Sequence, residues 1–205
     1  TGNLLIGPNN QVASDGVFQY TYDPEGNIIA KTETATGVHT VFSYDHRNRL
    51  RTNTVRSAGN VLLSEVEYVY DALDRRIAII TNGNKIVTVY SEAQPWADVD
   101  GTGTLTARYL PGAQIDEIIA RHVPGTGTSW FLTDRVGSVR DIVTSTGMLI
   151  NRAVLDSYGN PISQSNQTAG TRFLFAGREF DPVTALYYNR ARYYDPRLGR
   201  FLSED

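Results

Sequence analysis

RFLFAGREFDPVTALYYNRARYYDPRLGRFLSED, Arg172 to Asp205, is the densest stretch of this 205-residue chain. Aromatic residues crowd it, and its six arginines alternate with Asp and Glu. Two Asp-Pro pairs punctuate it, Asp181-Pro182 and Asp195-Pro196. Such pairs open turns, because Pro fixes φ and the Asp side chain accepts nearby backbone N–H groups. Upstream a looser signature recurs: a tyrosine-aspartate pair, a short turn, then an apolar residue. Together these features predict an all-β chain, a repetitive antiparallel ribbon that the tail terminates.

The first clear unit begins at Phe18. Phe18, Tyr20 and Tyr22 alternate with Gln19 and Thr21, which puts three aromatics on one face of a strand. Asp23-Pro24-Glu25-Gly26 reverses the chain and Ile28 to Thr32 runs back. Tyr44-Asp45 and Tyr70-Asp71 repeat the arrangement. Three residues after each Asp stand Gly26, Asn48 and Asp74, the types that best tolerate left-handed backbone. The spacing is 22 residues from Tyr22 to Tyr44 and 26 from Tyr44 to Tyr70, which suits two short strands with their turns. Asn82-Gly83 marks a tight hairpin turn.

Beyond Tyr90 the pattern weakens. Residues 91–103 (SEAQPWADVDGTG) read as a polar turn region around Pro95-Trp96, and residues 1–16 as one short strand at Leu4–Ile6 followed by a loop. Leu105–Leu110 and Glu117–Val123 read as strands. Asp134 to Gly137 and Asp156 to Gly159 are two more units, with Leu155 in the tyrosine place of the second. Tyr194-Asp195-Pro196 repeats the pair in the tail, with Gly199 in its turn. The polar loop 163–171 divides a ribbon, 1–162, from the tail segment, 172–205. Both ends fall mid-pattern, so a piece of a longer protein is expected.

Composition narrows the function classes. Twelve Tyr, seven Phe and 18 Gly suit strands and turns. A net charge of −3 with mixed signs gives no footprint for nucleic acid. Without cysteine there is no disulfide, thiol nucleophile or zinc-thiolate site. No apolar run is long enough for a membrane helix. His39, His46 and His122 share no ligand spacing with carboxylates, and no cofactor loop is present, so neither a metal nor a cofactor is expected.

The Tyr-Asp units and the tail resemble the Rhs/YD-repeat proteins: polymorphic Rhs toxins, the C components of Tc toxins and, more distantly, teneurins. Phe175-Ala-Gly-Arg-Glu179, Leu186 to Pro196 and Gly199 to Asp205 are similar to the Rhs-associated core, and Trp130–Arg140 to another family segment. Ala185 departs from the family's usual Gly. The resemblance implies a β-ribbon spiralling into a shell, capped by an inward-curling core, that sequesters the protein's own C-terminal effector. In toxin members an aspartic self-protease severs that effector. The matching positions here are Asp205 for its first Asp and Arg192 for an essential Arg, with the second Asp and the cleavage site lying beyond.

A carboxylate dyad needs two close carboxyls sharing a proton, so Asp205 alone is expected to be silent. Asp181 and Asp195 each precede Pro and read as turn residues. Tyr20, Tyr22, Tyr68, Tyr70, Tyr187, Tyr188, Tyr193 and Tyr194 would suit a glycan-stacking or cell-surface contact, but strand tyrosines more often pack across neighbours. Three readings follow: a shell fragment of a secreted toxin, a cell-surface or filament-forming adhesive ribbon, and a latent self-protease. An open ribbon also leaves edges, so the chain either curls around its own tail or pairs with copies of itself.

Overall fold

A computed structural model describes residues 4–114 and 116–204. Sixteen strands form one antiparallel sheet in which every strand pairs with its neighbours in sequence. They are β1 (Leu5–Ile6), β2 (Val12–Ser14), β3 (Phe18–Tyr22), β4 (Ile28–Glu33), β5 (His39–Tyr44), β6 (Leu50–Arg56), β7 (Leu62–Tyr70) and β8 (Arg76–Thr81). The order continues through β9 (Asn84–Ser91), β10 (Gln94–Asp100), β11 (Leu105–Pro111), β12 (Ile118–Val123), β13 (Gly127–Thr133), β14 (Val139–Thr144), β15 (Leu149–Leu155) and β16 (Pro161–Gln164). A second sheet of four short strands follows: β17 (Glu179–Asp181), β18 (Leu186–Asn189), β19 (Arg192–Asp195) and β20 (Arg200–Phe201).

Two stretches differ from the sequence expectation. Gln94–Asp100 is a strand and not a turn region: Pro95 sits at a bulge opposite Tyr90, where its missing N–H breaks no regular ladder, and Ala97 to Val99 pair on both sides. The loop expected over residues 7–16 holds strand β2, and the first residues of the expected 163–171 loop belong to β16.

The Tyr-Asp turns share one geometry. Gly26, Asn48, Asp74, Gly137 and Gly159 all have positive φ, from 56° at Asn48 to 92° at Gly159. In each, the Asp carbonyl accepts the N–H three residues on. The carboxylate braces the loop: Asp71 Oδ1 accepts from Leu73 N (2.9 Å) and Arg75 N (3.0 Å), and its Oδ2 from Arg75 Nε (2.7 Å). Asp45, Asp134 and Asp156 repeat the two backbone bonds. Asp23, followed by Pro24, keeps one, from Asn27 N (2.8 Å).

The register slips by one residue at every such turn. Tyr22 pairs with Ile28, Tyr44 with Leu50, Tyr70 with Arg76, Thr133 with Val139 and Leu155 with Pro161, each beside a bulge. So Leu155 does occupy the tyrosine place, and Thr133 holds the same place before Asp134. The pairing thereby skips the residue six after the Asp, such as Ile29 or Ile77, and the residue five after it, set opposite the tyrosine place, needs partners for its peptide group outside that pair. The next tyrosine supplies one. Tyr44 donates its hydroxyl to Ile28 O (2.8 Å), Tyr70 to Leu50 O (2.7 Å) and Tyr90 to Arg76 O (3.0 Å). The turns are also clasped to one another. Asn27 Nδ2 reaches Asn48 Oδ1 (3.2 Å), and Arg49 Nη1 reaches Asp74 Oδ1 (2.6 Å).

The sheet curves around the tail. Asp195 contacts Lys31 on β4, while the carbonyl of the adjacent Pro196 accepts from Asn160, just after β15. Those strands stand eleven places apart in the sheet. Were the sheet flat, they would lie roughly 50 Å apart at the usual strand spacing. The concave face carries the core: Ile28, Phe42, Leu50, Val66 and Tyr68 pack with Leu186, Tyr188, Tyr193 and Leu202 of the tail. Ala153 and Leu155 pack with Leu174 and Tyr187, and Phe173 joins Ile118, Phe131 and Ile142. Each buried side chain of this size contributes roughly 1.5–3 kcal/mol.

Two predictions follow from the turns. Burial by itself pushes the Asp45, Asp71, Asp134 and Asp156 carboxyls up, but the side-chain and backbone donors outweigh it and hold all four below the ordinary aspartate value. A carboxyl depressed in the folded state stabilises it fully above the unfolded value of about 3.9, and that stabilisation drains as pH falls through the folded values. The urea midpoint is therefore expected to be flat between about pH 5 and 7 and to fall below about pH 4, less steeply in Asp71→Asn; a midpoint unchanged at pH 3 contradicts the bracing. Ala185, in the turn between β17 and β18, sits at φ 57°. Ala185→Gly is expected to stabilise by about 0.5–1 kcal/mol in denaturant unfolding, because the relieved strain exceeds the added chain entropy; a destabilised variant is the contrary result.

Candidate functional site: the seam between tail and sheet

The tail meets the concave face through a line of buried charges. Arg76 opens β8 and Glu179 opens β17, both under 10% exposed. Arg76 Nη2 lies 2.6 Å from Glu179 Oε2, and Arg76 Nη1 donates to Tyr193 Oη (3.1 Å). Arg172 Nε stands 2.8 Å from the same Glu179 oxygen, an ion pair without hydrogen-bond alignment. Its Nη atoms grip Asp98 on β10, which also accepts from Thr88 (3.0 Å) and Tyr109 (2.7 Å). Two cations and two anions thus neutralise one another across the interface. Moving an ion from water costs several kcal/mol, so each member depends on the others.

Two further ties use the turn aspartates of the tail. Asp181 Oδ1 accepts from Val183 N and its Oδ2 from Tyr68 Oη (2.9 Å). Asp195 Oδ1 accepts from Arg197 N, and its Oδ2 lies 3.4 Å from Lys31 Nζ, with both side chains buried. Burial holds the Lys31 ammonium below its ordinary value although Asp195 pulls the other way. Burial also pushes the Tyr68 and Tyr193 hydroxyls well up, which keeps them protonated and able to donate.

Backbone bonds complete the seam. Ile28 N donates to Leu202 O (2.7 Å), Arg76 N to Tyr188 Oη (3.0 Å) and Val139 N to Leu174 O (3.0 Å). These donors are the residues five after the Asp in three different turns. At Pro161, the equivalent place in the last turn, there is no N–H to satisfy. The turns themselves touch the tail closely. A side chain at Gly159 would strike the Phe175 ring at 2.6 Å, and one at Gly26 the Glu204 side chain at the same distance.

Of the residues singled out in the sequence, Asp205 lies outside the described residues. Arg192, on β19, stacks over the Phe201 ring at 3.8 Å. Asp181 and Asp195 serve separate turns and have different sheet partners, so they do not act as a pair. Pro196 gives its carbonyl to Asn160 (2.9 Å), Tyr194 donates to Tyr158 O (3.1 Å) and Gly199 turns the chain at φ 66°. The tyrosines weighed as a glycan platform face the core: Tyr68, Tyr187, Tyr188 and Tyr193 are buried, and Tyr20, Tyr22, Tyr70 and Tyr194 partly so. Sequence reasoning missed Arg76, Asp98 and Lys31. The available signal was a lone charge at an inward strand position. Among the described residues no group of three or more His, Asp or Glu could hold a metal, and no helix is long and apolar enough to cross a membrane.

Comparison with known proteins agrees with this architecture. The teneurin YD-shell family model matches residues 10–205. The chain is 29% identical over 200 residues to the tRNA3(Ser)-specific nuclease WapA of Bacillus spizizenii, covering 96% of this chain and 8% of that protein. It is 27% identical over 221 residues to the double-stranded DNA deaminase toxin A of Burkholderia cenocepacia, covering 92% of this chain and 15% of the toxin. The fold of the TcdB2-TccC3-Cdc42 crystal structure aligns with all of this chain and 13% of the matched one, at a TM-score of 0.61 and 20% identity. With its Tyr-Asp turns, its single curved meander and this match over nearly its whole length, the chain belongs to the teneurin YD-shell family.

Proposed function

We propose that this chain is wall and cap of a shell that keeps a polypeptide effector of its own protein sequestered, rather than a domain that transforms a substrate. The observation that carries the reading is the inward-turned tail, fixed to the concave face by buried ion pairs and by backbone bonds from three separate turns. Relatives named as a nuclease and a deaminase toxin support it, because this chain matches only a small part of their length, and the named activities fit other parts of those proteins. The protein is accordingly assigned to secretion or the cell surface. Arg192 and Asp205 belong, in this reading, to a self-processing centre that needs a second aspartate from elsewhere in the protein.

The test is limited proteolysis of the intact protein. The sequence following residue 205 is expected to resist protease while the tail is docked. In Glu179→Ala, which strips Arg76 of its carboxylate, it is expected to be cut at least tenfold faster. Circular dichroism checks that the sheet persists. Equal digestion in both proteins, with the sheet intact, overturns the sequestering role.

A further inference from the structure

Between the tail and the Tyr-Asp edge of the sheet lies a cavity of about 250 Å³. Its walls come from both partners: Tyr90 and Ile118 from the sheet, Phe173 and Tyr188 from the tail. The lining is mainly apolar, but Arg178 and Arg190 stand beside it. Both converge on one carboxylate, Asp116, at 2.7 and 2.9 Å. Two guanidiniums on one anion leave a surplus positive charge and spare N–H donors. The other charges lining the cavity are already matched. Glu179 is held by Arg76 and Arg172, Asp74 by Arg47 and Arg49, and Arg75 by Asp71.

We propose that this cavity binds a small amphipathic carboxylate, its ring or short acyl chain among Tyr90, Ile118, Phe173 and Tyr188 and its carboxylate on Arg178 and Arg190. The volume suits one ring rather than a long chain, since a cavity of about 150 Å³ already takes benzene. A guanidinium fork matches carboxylate geometry, so a neutral ligand of the same shape forfeits the polar half of the contact. Because the ligand would touch tail and sheet together, occupancy would hold the tail down, and ligand binding only the docked form raises thermal stability.

Phenylacetate tests the site, with 2-phenylethanol as its uncharged counterpart. Calorimetric titration of the 205-residue chain is expected to give saturable phenylacetate binding with Kd on the order of 1 mM, as suits a ligand of about ten heavy atoms. The alcohol is expected to bind at least tenfold more weakly, and only the acid to raise Tm. Arg190→Gln is expected to weaken the acid about fivefold and leave the alcohol unchanged. Ala93→Trp, at an exposed position of the lining, is expected to abolish both. Melting curves establish that the variants fold; a variant that does not is replaced by Arg178→Gln. Absence of saturable binding, equal affinity for acid and alcohol, or full binding by folded Ala93→Trp overturns the proposal.

Discussion

At each Tyr-Asp turn a bulge interrupts the ladder, and the residue opposite the tyrosine place is left to find partners for its peptide group outside that pair. That group cannot stay unpaired inside a protein, where an orphaned donor or acceptor costs about 1–3 kcal/mol. Its carbonyl is taken by the tyrosine of the following unit, as with Tyr44 on Ile28 and Tyr70 on Leu50. In three of the turns its N–H is taken by the tail: by Leu202 at Ile28, by the Tyr188 hydroxyl at Arg76 and by Leu174 at Val139. At Ile28 and Arg76 both groups are met in this way, the carbonyl by the next unit's tyrosine and the N–H by the inward-turned tail. This explains why the aromatic is a tyrosine and not a phenylalanine at these places: the hydroxyl, more than the ring, joins one unit to the next.

The buried charges do a different job. Hydrophobic contact between tail and concave face is strong but non-directional, and many registers would bury similar area. Arg76, Arg172, Glu179 and Asp98 admit one arrangement, because a slip of either partner would leave a charge unmatched in the interior. Such pairs add little net stability against well-packed apolar substitutes, while breaking one costs about 3–5 kcal/mol. The apolar core thus supplies adhesion and the ion pairs supply position. The αL residues follow the same logic. Asn48 and Asp74 bear φ values that Gly would adopt more easily, yet their side chains accept the clasp from the preceding turn, which Gly could not.

The turns were legible in the sequence because left-handed backbone admits few residue types, so Gly26, Asn48, Asp74 and Gly159 announced themselves at a fixed offset. The tail was legible through its density and its resemblance to a known core. Strand Gln94–Asp100 was not, since Pro95, Asp98 and Gly101 have turn composition and only the bulge reconciles Pro95 with a strand. The seam was not legible either. Its partners lie about a hundred residues apart in sequence, Arg76 with Glu179 and Tyr68 with Asp181, and a charge that will be buried looks locally like any strand charge. The four-residue offset from Asp to Asn27, Arg49, Arg75 and Asn160, all with side-chain N–H donors, was visible but gained meaning only once the carboxylates were seen bracing the turns.

Native-state amide hydrogen exchange tests the central claim most directly. If the tail caps the peptide groups left over beside the bulges, then the N–H groups of Ile28, Arg76 and Val139 will share one opening free energy, though they belong to three separate turns. That value will match the one for Leu174 and Leu202, the residues that dock. Three different values, each equal to that of its own hairpin and independent of the tail, would contradict the account.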